Sequence, residues 1–180
     1  DAKSAGTDFT GSLILGHQTT GTLDAAEYNT AVGLTAMDAI TSGDANNCLG
    51  YNSLGAITTG SSNTAIGKNA MKLNTTGGNN IAIGQDAFWS STTFSQNIAI
   101  GNNCMALQDE GIRNTVIGNY AFDASTGGNY NTIIGYSAAT KATSTGCRNN
   151  TIVGTHAADD IDAGWQNTIM GYWAADGLTS

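Results

Sequence analysis

Apolar and polar positions recur along this chain with a period of seventeen residues. The pattern Asn-x-x-x-Gly places its glycine at Gly33, Gly50, Gly67, Gly84, Gly101, Gly118, Gly135, Gly154 and Gly171. Four residues before each stands Asn29, Asn46, Asn63, Asn80, Asn97, Asn114, Asn131, Asn150 and Asn167. The spacing is seventeen throughout, except for nineteen between Gly135 and Gly154. Between Asn and Gly lie β-prone triplets such as Thr64-Ala65-Ile66, which predict one short strand and one turn per unit. Three residues after the glycine comes a small residue (Ala36, Ser53, Ala70, Ala87), then a large apolar one (Met37, Leu54, Met71, Phe88), where a second short strand or a bend fits. Gly16, preceded by Leu13-Ile14-Leu15, marks a degenerate first unit with Ser12 in the Asn place.

A unit this short cannot hold a helix pair, which needs about 33 residues. It suits one turn of a parallel solenoid. The sequence therefore predicts an all-β fold, a parallel β-solenoid or β-roll of about ten coils, stacked at ~4.8 Å into a rod of roughly 48 Å. Residues 1–11 read as an N-terminal lead-in and 12–180 as a single solenoid repeat domain. The Asn column is expected to bond coil to coil through its stacked amides. The Gly column is expected to supply positive φ at each corner.

In nearly every unit the two residues before the glycine are both apolar: Ala65 and Ile66, Ala82 and Ile83, Ile133 and Ile134, Ile152 and Val153. Side chains alternate across a strand, so adjacent residues face opposite sides. One set fills a thin interior, and the other forms an apolar stripe along the rod. Packing against copies of the same chain, with a parallel homotrimer as the simplest form, would cover that stripe. The alternative puts the second column beneath the chain's own polar turns.

Composition narrows the function. Charged residues are only 11% and aromatics 7%, with 24 Gly and no Pro, so Thr, Ser, Asn and Gly must make the surface. The net charge is −8 with 6 Lys plus Arg, which leaves no basic cluster to replace counterions on nucleic acid. No apolar run approaches the ~20 residues of a membrane-spanning helix, and no signal peptide is recognisable.

No catalytic constellation, metal site or cofactor motif emerges, and the chain does not read as an enzyme. His17 and His156 lie eight coils apart and cannot share a site. Cys48 and Cys104 occupy small-residue positions and read as buried; Cys147 falls in the two-residue insertion and is expected to be a partly exposed free thiol. Asp159, Asp160, Asp162 and Asp176 match no calcium-loop spacing. Trp89, Phe94, Trp165 and Trp173 stand in or beside polar turns, as do Tyr51, Tyr130, Tyr136 and Tyr172. The first four are candidate glycan contacts, because an aromatic face flanked by Asn and Thr suits a sugar ring.

The motif Asn-Thr-Ala-Ile-Gly-x-x-Ala, as at Asn63 to Ala70, resembles the head repeats of trimeric autotransporter adhesins. Its longer form, running on to Asn74-Thr75-Thr76-Gly77, resembles repeats of bacteriophage tail fibres and related surface fibres. The resemblance covers about residues 12 to 178 and implies a left-handed roll with three chains side by side. It further implies an extracellular location, on a virion fibre or a cell surface, with the chain itself and cell-surface glycan as partners. The adhesin heads have shorter coils, and neither their neck nor their anchor is recognisable here. A filament subunit stacking head to tail through uncapped ends is the other reading of the same repeats. Ice binding through Thr rows fits less well, since Asn47, Ile81 and Ile98 interrupt the column of Thr30, Thr64, Thr115, Thr132, Thr151 and Thr168.

Overall fold

A computed structural model of the chain describes residues 2–4, 12–16, 25–107, 111–125, 127–141, 146–159 and 164–175. Its strands are β1 (Ala2–Ser4), β2 (Leu13–Leu15), β3 (Thr30–Val32), β4 (Asn47–Leu49), β5 (Thr64–Ile66), β6 (Ile81–Ile83), β7 (Ile98–Ile100), β8 (Thr115–Ile117), β9 (Gly128–Asn129), β10 (Thr132–Ile134), β11 (Cys147–Arg148), β12 (Thr151–Val153) and β13 (Thr168–Met170). Among the described residues there is no helix. The main sheet runs β1-β2-β3-β4-β5-β6-β7-β8-β10-β12-β13, and β9 pairs with β11 in a second, parallel two-stranded sheet. From β2 onward each strand of the main sheet pairs in parallel with the equivalent strand of the next unit, so Thr64 sits beside Ile81 and Ala65 beside Ala82. The fold is thus a parallel β-solenoid of about eight turns between β3 and β13. Within the 1–11 lead-in, β1 folds back antiparallel onto β2.

The nineteen-residue unit keeps this register: Ile133 pairs with Ile152 across it. After each glycine the chain takes the bend rather than a second strand. The reason is local. Asn69 and Met71 have φ of 58° and 51°, and the same two positions are left-handed in every described coil from Thr35 and Met37 to Trp173 and Ala175. Left-handed residues alternating with their neighbours cannot extend into a strand. They direct successive N–H groups to opposite neighbours instead: Asn69 donates to the Tyr51 carbonyl at 2.9 Å, and Met71 to the Ala87 carbonyl at 3.0 Å.

The interior is thin, and between most coils two columns exchange volume, the pair of Val116 and Phe122 being the exception. Where the second column carries Met71 or Phe88, the strand contributes Ala65 or Ala82; where it drops to Ala139 or Ala158, the strand contributes Ile133 or Ile152. All of these are fully buried, as close packing requires. Strand residues on either side of the buried one face outward. In the column before the glycine Val32, Leu49, Ile66, Ile117, Ile134 and Met170 are exposed, while Leu15, Ile83, Ile100 and Val153 are half-buried. In the single chain the apolar stripe therefore lies on the outer face of the sheet and not beneath the turns.

Candidate functional site

Two columns of the repeat hold the coils together. From Asn29 to Asn150 each Asn is buried, with its amide oxygen accepting the backbone N–H of the next Asn: Asn80 donates to Asn63 Oδ1 at 3.1 Å and Asn97 to Asn80 Oδ1 at 3.0 Å. Over the same span each amide nitrogen closes its own coil by donating to a carbonyl near the coil's end, as from Asn63 to Gly77 and from Asn80 to Phe94. Ser12 starts the series by accepting from the Asn29 N–H at 2.8 Å. The glycines Gly33 to Gly171 all have positive φ. Several stand where a side chain would strike the next coil's backbone. A Cβ on Gly67 would lie 2.3 Å from the Gly84 carbonyl oxygen.

The candidate glycan contacts are dispersed. Phe94 is buried, packed against Phe88 with ring centroids 5.5 Å apart, so it is a core residue and not a ligand contact. It occupies the place held by Gly60 and Gly77 in earlier coils, in the coil where the small Ser91 stands in the column of Ile40 and Ile57. Trp165 is exposed and lines a shallow depression with Gly146, Arg148, Asn149 and Gln166. Trp173 is exposed at the end of an aromatic ladder. Tyr120 meets Tyr136 edge-on at 6.0 Å, Tyr136 meets His156 at 5.5 Å, and His156 stacks on Trp173 at 4.4 Å and 9°. Tyr120 and His156 were not among the sequence candidates. His17, Asp160, Asp162 and Asp176 lie outside the described residues; Asp159 stands 3.7 Å from His156 Nδ1.

Trp89, the remaining candidate, is half-buried and lines a cleft of about 420 Å³ with Asn69, Lys72, Asp86, Asn103, Ala106, Leu107 and Asp123. The cleft follows from the repeat. Asn69, Asp86 and Asn103 stand two residues after successive glycines, and Lys72, Trp89, Ala106 and Asp123 stand five after. The two columns form banks along the rod, and the small Ala106 opens a gap between Trp89 and Asp123. Asp86 is held on both oxygens, by Asn69 Nδ2 at 2.8 Å and by Gln85 Nε2 at 3.0 Å. Burial raises the Asp123 carboxyl above the usual carboxylate range, against a hydrogen bond from the Ala106 backbone that lowers it.

All three cysteines are free and buried, including Cys147, whose place in the sequence predicts a partly exposed thiol. Cys147 lies in β11 beside Gly128, where the chain has rejoined the stack, so the insertion does not carry it to the surface. Burial pushes the Cys104 thiol up to about 12 and those of Cys48 and Cys147 to about 11. The reactive thiolate is therefore scarce as well as shielded. The folded protein is expected to leave all three thiols unmodified by a disulfide reagent at pH 8, and to react at all three in denaturant; rapid labelling of the native chain at Cys147 would contradict its burial.

Among the described residues no group of three or more His, Cys, Asp or Glu side chains could hold a metal ion, and no helix is long and apolar enough to cross a membrane. Comparison with protein-family models, curated proteins and solved structures finds no match to this chain.

Proposed function

We propose that this chain is a structural rod without enzymatic activity, a fibre or adhesin segment on a virion or cell surface, in which three copies lie side by side. The observation that carries this reading is the apolar column on the outer face of the sheet, from Leu15 to Met170, one side chain per coil. A stripe of that length would leave much apolar surface in water, and apolar area removed from water is worth roughly 25 cal/mol per Å². The face is suited to a close partner. It is built from three-residue strands in unbroken register, and it carries an apolar depression of about 250 Å³ lined by Val32, Leu49 and Ile66 with flanking Thr30, Asn47 and Thr64. The resemblance to adhesin heads and phage fibres points the same way.

A filament of head-to-tail rods has less support, because the N-terminal edge of β2, where a further parallel strand would add, is already taken by β1. Light scattering on a sizing column tests the proposal. The expected mass is three chains, and Ile66→Asp combined with Ile117→Asp is expected to reduce it to one by placing charge in the contact. A wild-type monomer overturns side-by-side packing; open-ended assemblies favour the filament.

A further inference from the structure

We propose that the cleft over Ala106 binds a neutral saccharide, with Trp89 as its aromatic wall and Asn69, Asp86, Asn103 and Asp123 as its hydrogen-bonding rim. A sugar ring presents an apolar C–H surface and a girdle of hydroxyls. It is held by an aromatic side chain together with a few polar groups fixed in direction. The cleft supplies both. Trp89 is half-buried, and Asp86 is locked in place by Asn69 and Gln85. Asn69 is itself met by Asn52 Nδ2 at 3.4 Å, so the Asn69–Asp86 part of the rim is a chain of side chains ordered before any ligand arrives. Each Asp86 oxygen accepts one bond within the protein and retains a site for a hydroxyl donor.

Size and charge select the ligand class. About 420 Å³ falls within the range of small-molecule pockets, which runs from roughly 300 to 1,000 Å³. Two carboxylates face one ammonium, that of Lys72, on a chain of net charge −8, so uronates, sialylated and sulfated sugars are disfavoured. Along the rod the bank of Asn69, Asp86 and Asn103 continues at the next coil with the exposed Tyr120, the first ring of the aromatic ladder. A longer saccharide can therefore run from the cleft toward Tyr136 and His156. The cleft shares no residue with the apolar depression on the sheet's outer face.

The test is calorimetric titration of the full chain with cellohexaose, maltohexaose, mannohexaose and chitohexaose, and with oligogalacturonate as the anionic control. At least one neutral hexasaccharide is expected to bind saturably and more tightly than its disaccharide, with oligogalacturonate silent. Trp89→Ala is expected to weaken that binding at least about tenfold, and Trp89→Phe to retain most of it. Trp165→Ala, in the separate depression, is expected to leave it unchanged. The proposal is overturned if no neutral hexasaccharide saturates at about 10 mM, or if Trp89→Ala binds as well as wild type. Circular dichroism and the elution volume of each variant distinguish a lost site from a lost fold or a lost oligomer.

Discussion

Replacing Gly84 by alanine is expected to destabilise the rod by roughly 3 kcal/mol or more, a loss large for a single methyl group. Two causes act together. Gly84 has φ of +138°, a conformation that L side chains rarely adopt. An added Cβ would also lie 2.3 Å from the Gly101 carbonyl oxygen and 2.5 Å from its carbon. Neither neighbour is a side chain that can swing away. Relief requires the next coil to shift, and Gly101 stands in the same relation to Gly118, where a Cβ would lie 2.4 Å from the carbonyl oxygen. Gly171 provides the comparison within the same column: its φ is +129°, yet its nearest neighbour would be the Ala174 Cβ at 3.6 Å. Gly171→Ala therefore keeps the conformational cost without the collision and is expected to cost about half as much or less. Thermal melting of both variants decides the matter, and equal losses would mean that backbone conformation alone governs the column.

The second large effect is expected at the Asn ladder. Asn80 is fully buried; its amide accepts from the Asn97 N–H and donates to the Phe94 carbonyl at 2.7 Å and to Asn63 Oδ1 at 3.1 Å. Asn80→Ala strands the Asn97 N–H and the Phe94 carbonyl in the interior, and each unsatisfied group costs about 1–3 kcal/mol. A total near 4 kcal/mol is expected on that scale. Asn80→Asp separates hydrogen bonding from shape. It preserves the acceptor for Asn97 but sets a carboxylate oxygen against two oxygens that had been accepting a donor. Burial and those oxygens raise the folded-state pKa of that new carboxyl above its unfolded value near ~4. The penalty is then fully present above the raised pKa and shrinks as pH falls through it, because the protonated acid can donate again. Denaturant melts between pH 8 and pH 5 should show Asn80→Asp recovering stability relative to Asn80→Ala; parallel pH profiles would show that the amide's donor is dispensable.

The architecture is highly legible in this sequence because the fold repeats its own constraints. Nine Asn and nine Gly in register left little freedom, and the outward set of Val32, Leu49, Ile66 and Ile117 follows from strand alternation alone. The exchange of Ala65 with Met71 for Ile133 with Ala139 was also there to be read, since two columns filling one space must vary inversely in size. Other features were hidden by treating residues singly. Phe94 looks exposed beside Thr92 and Thr93, until its column is seen to be the inward one that Asn80 caps. Cys147 reads as loose only if the two extra residues are placed at it; its pairing with Gly128 puts them earlier in the unit. The cleft does not show in the residues that neighbour Trp89 in sequence. Its partners Asn69, Asp86, Asn103 and Asp123 lie in adjacent coils and emerge only when the seventeen-residue units are written one beneath another.

The uniform register has a further implication for how such a chain can change over generations. Nearly every inter-coil hydrogen bond joins residues one unit apart, so a whole coil can be gained or lost by unequal recombination and the flanking coils rejoin with their partnerships intact. Rod length is then quantised in steps of ~4.8 Å. A lineage can tune its reach by copy number, a heritable ruler graduated in units of one turn.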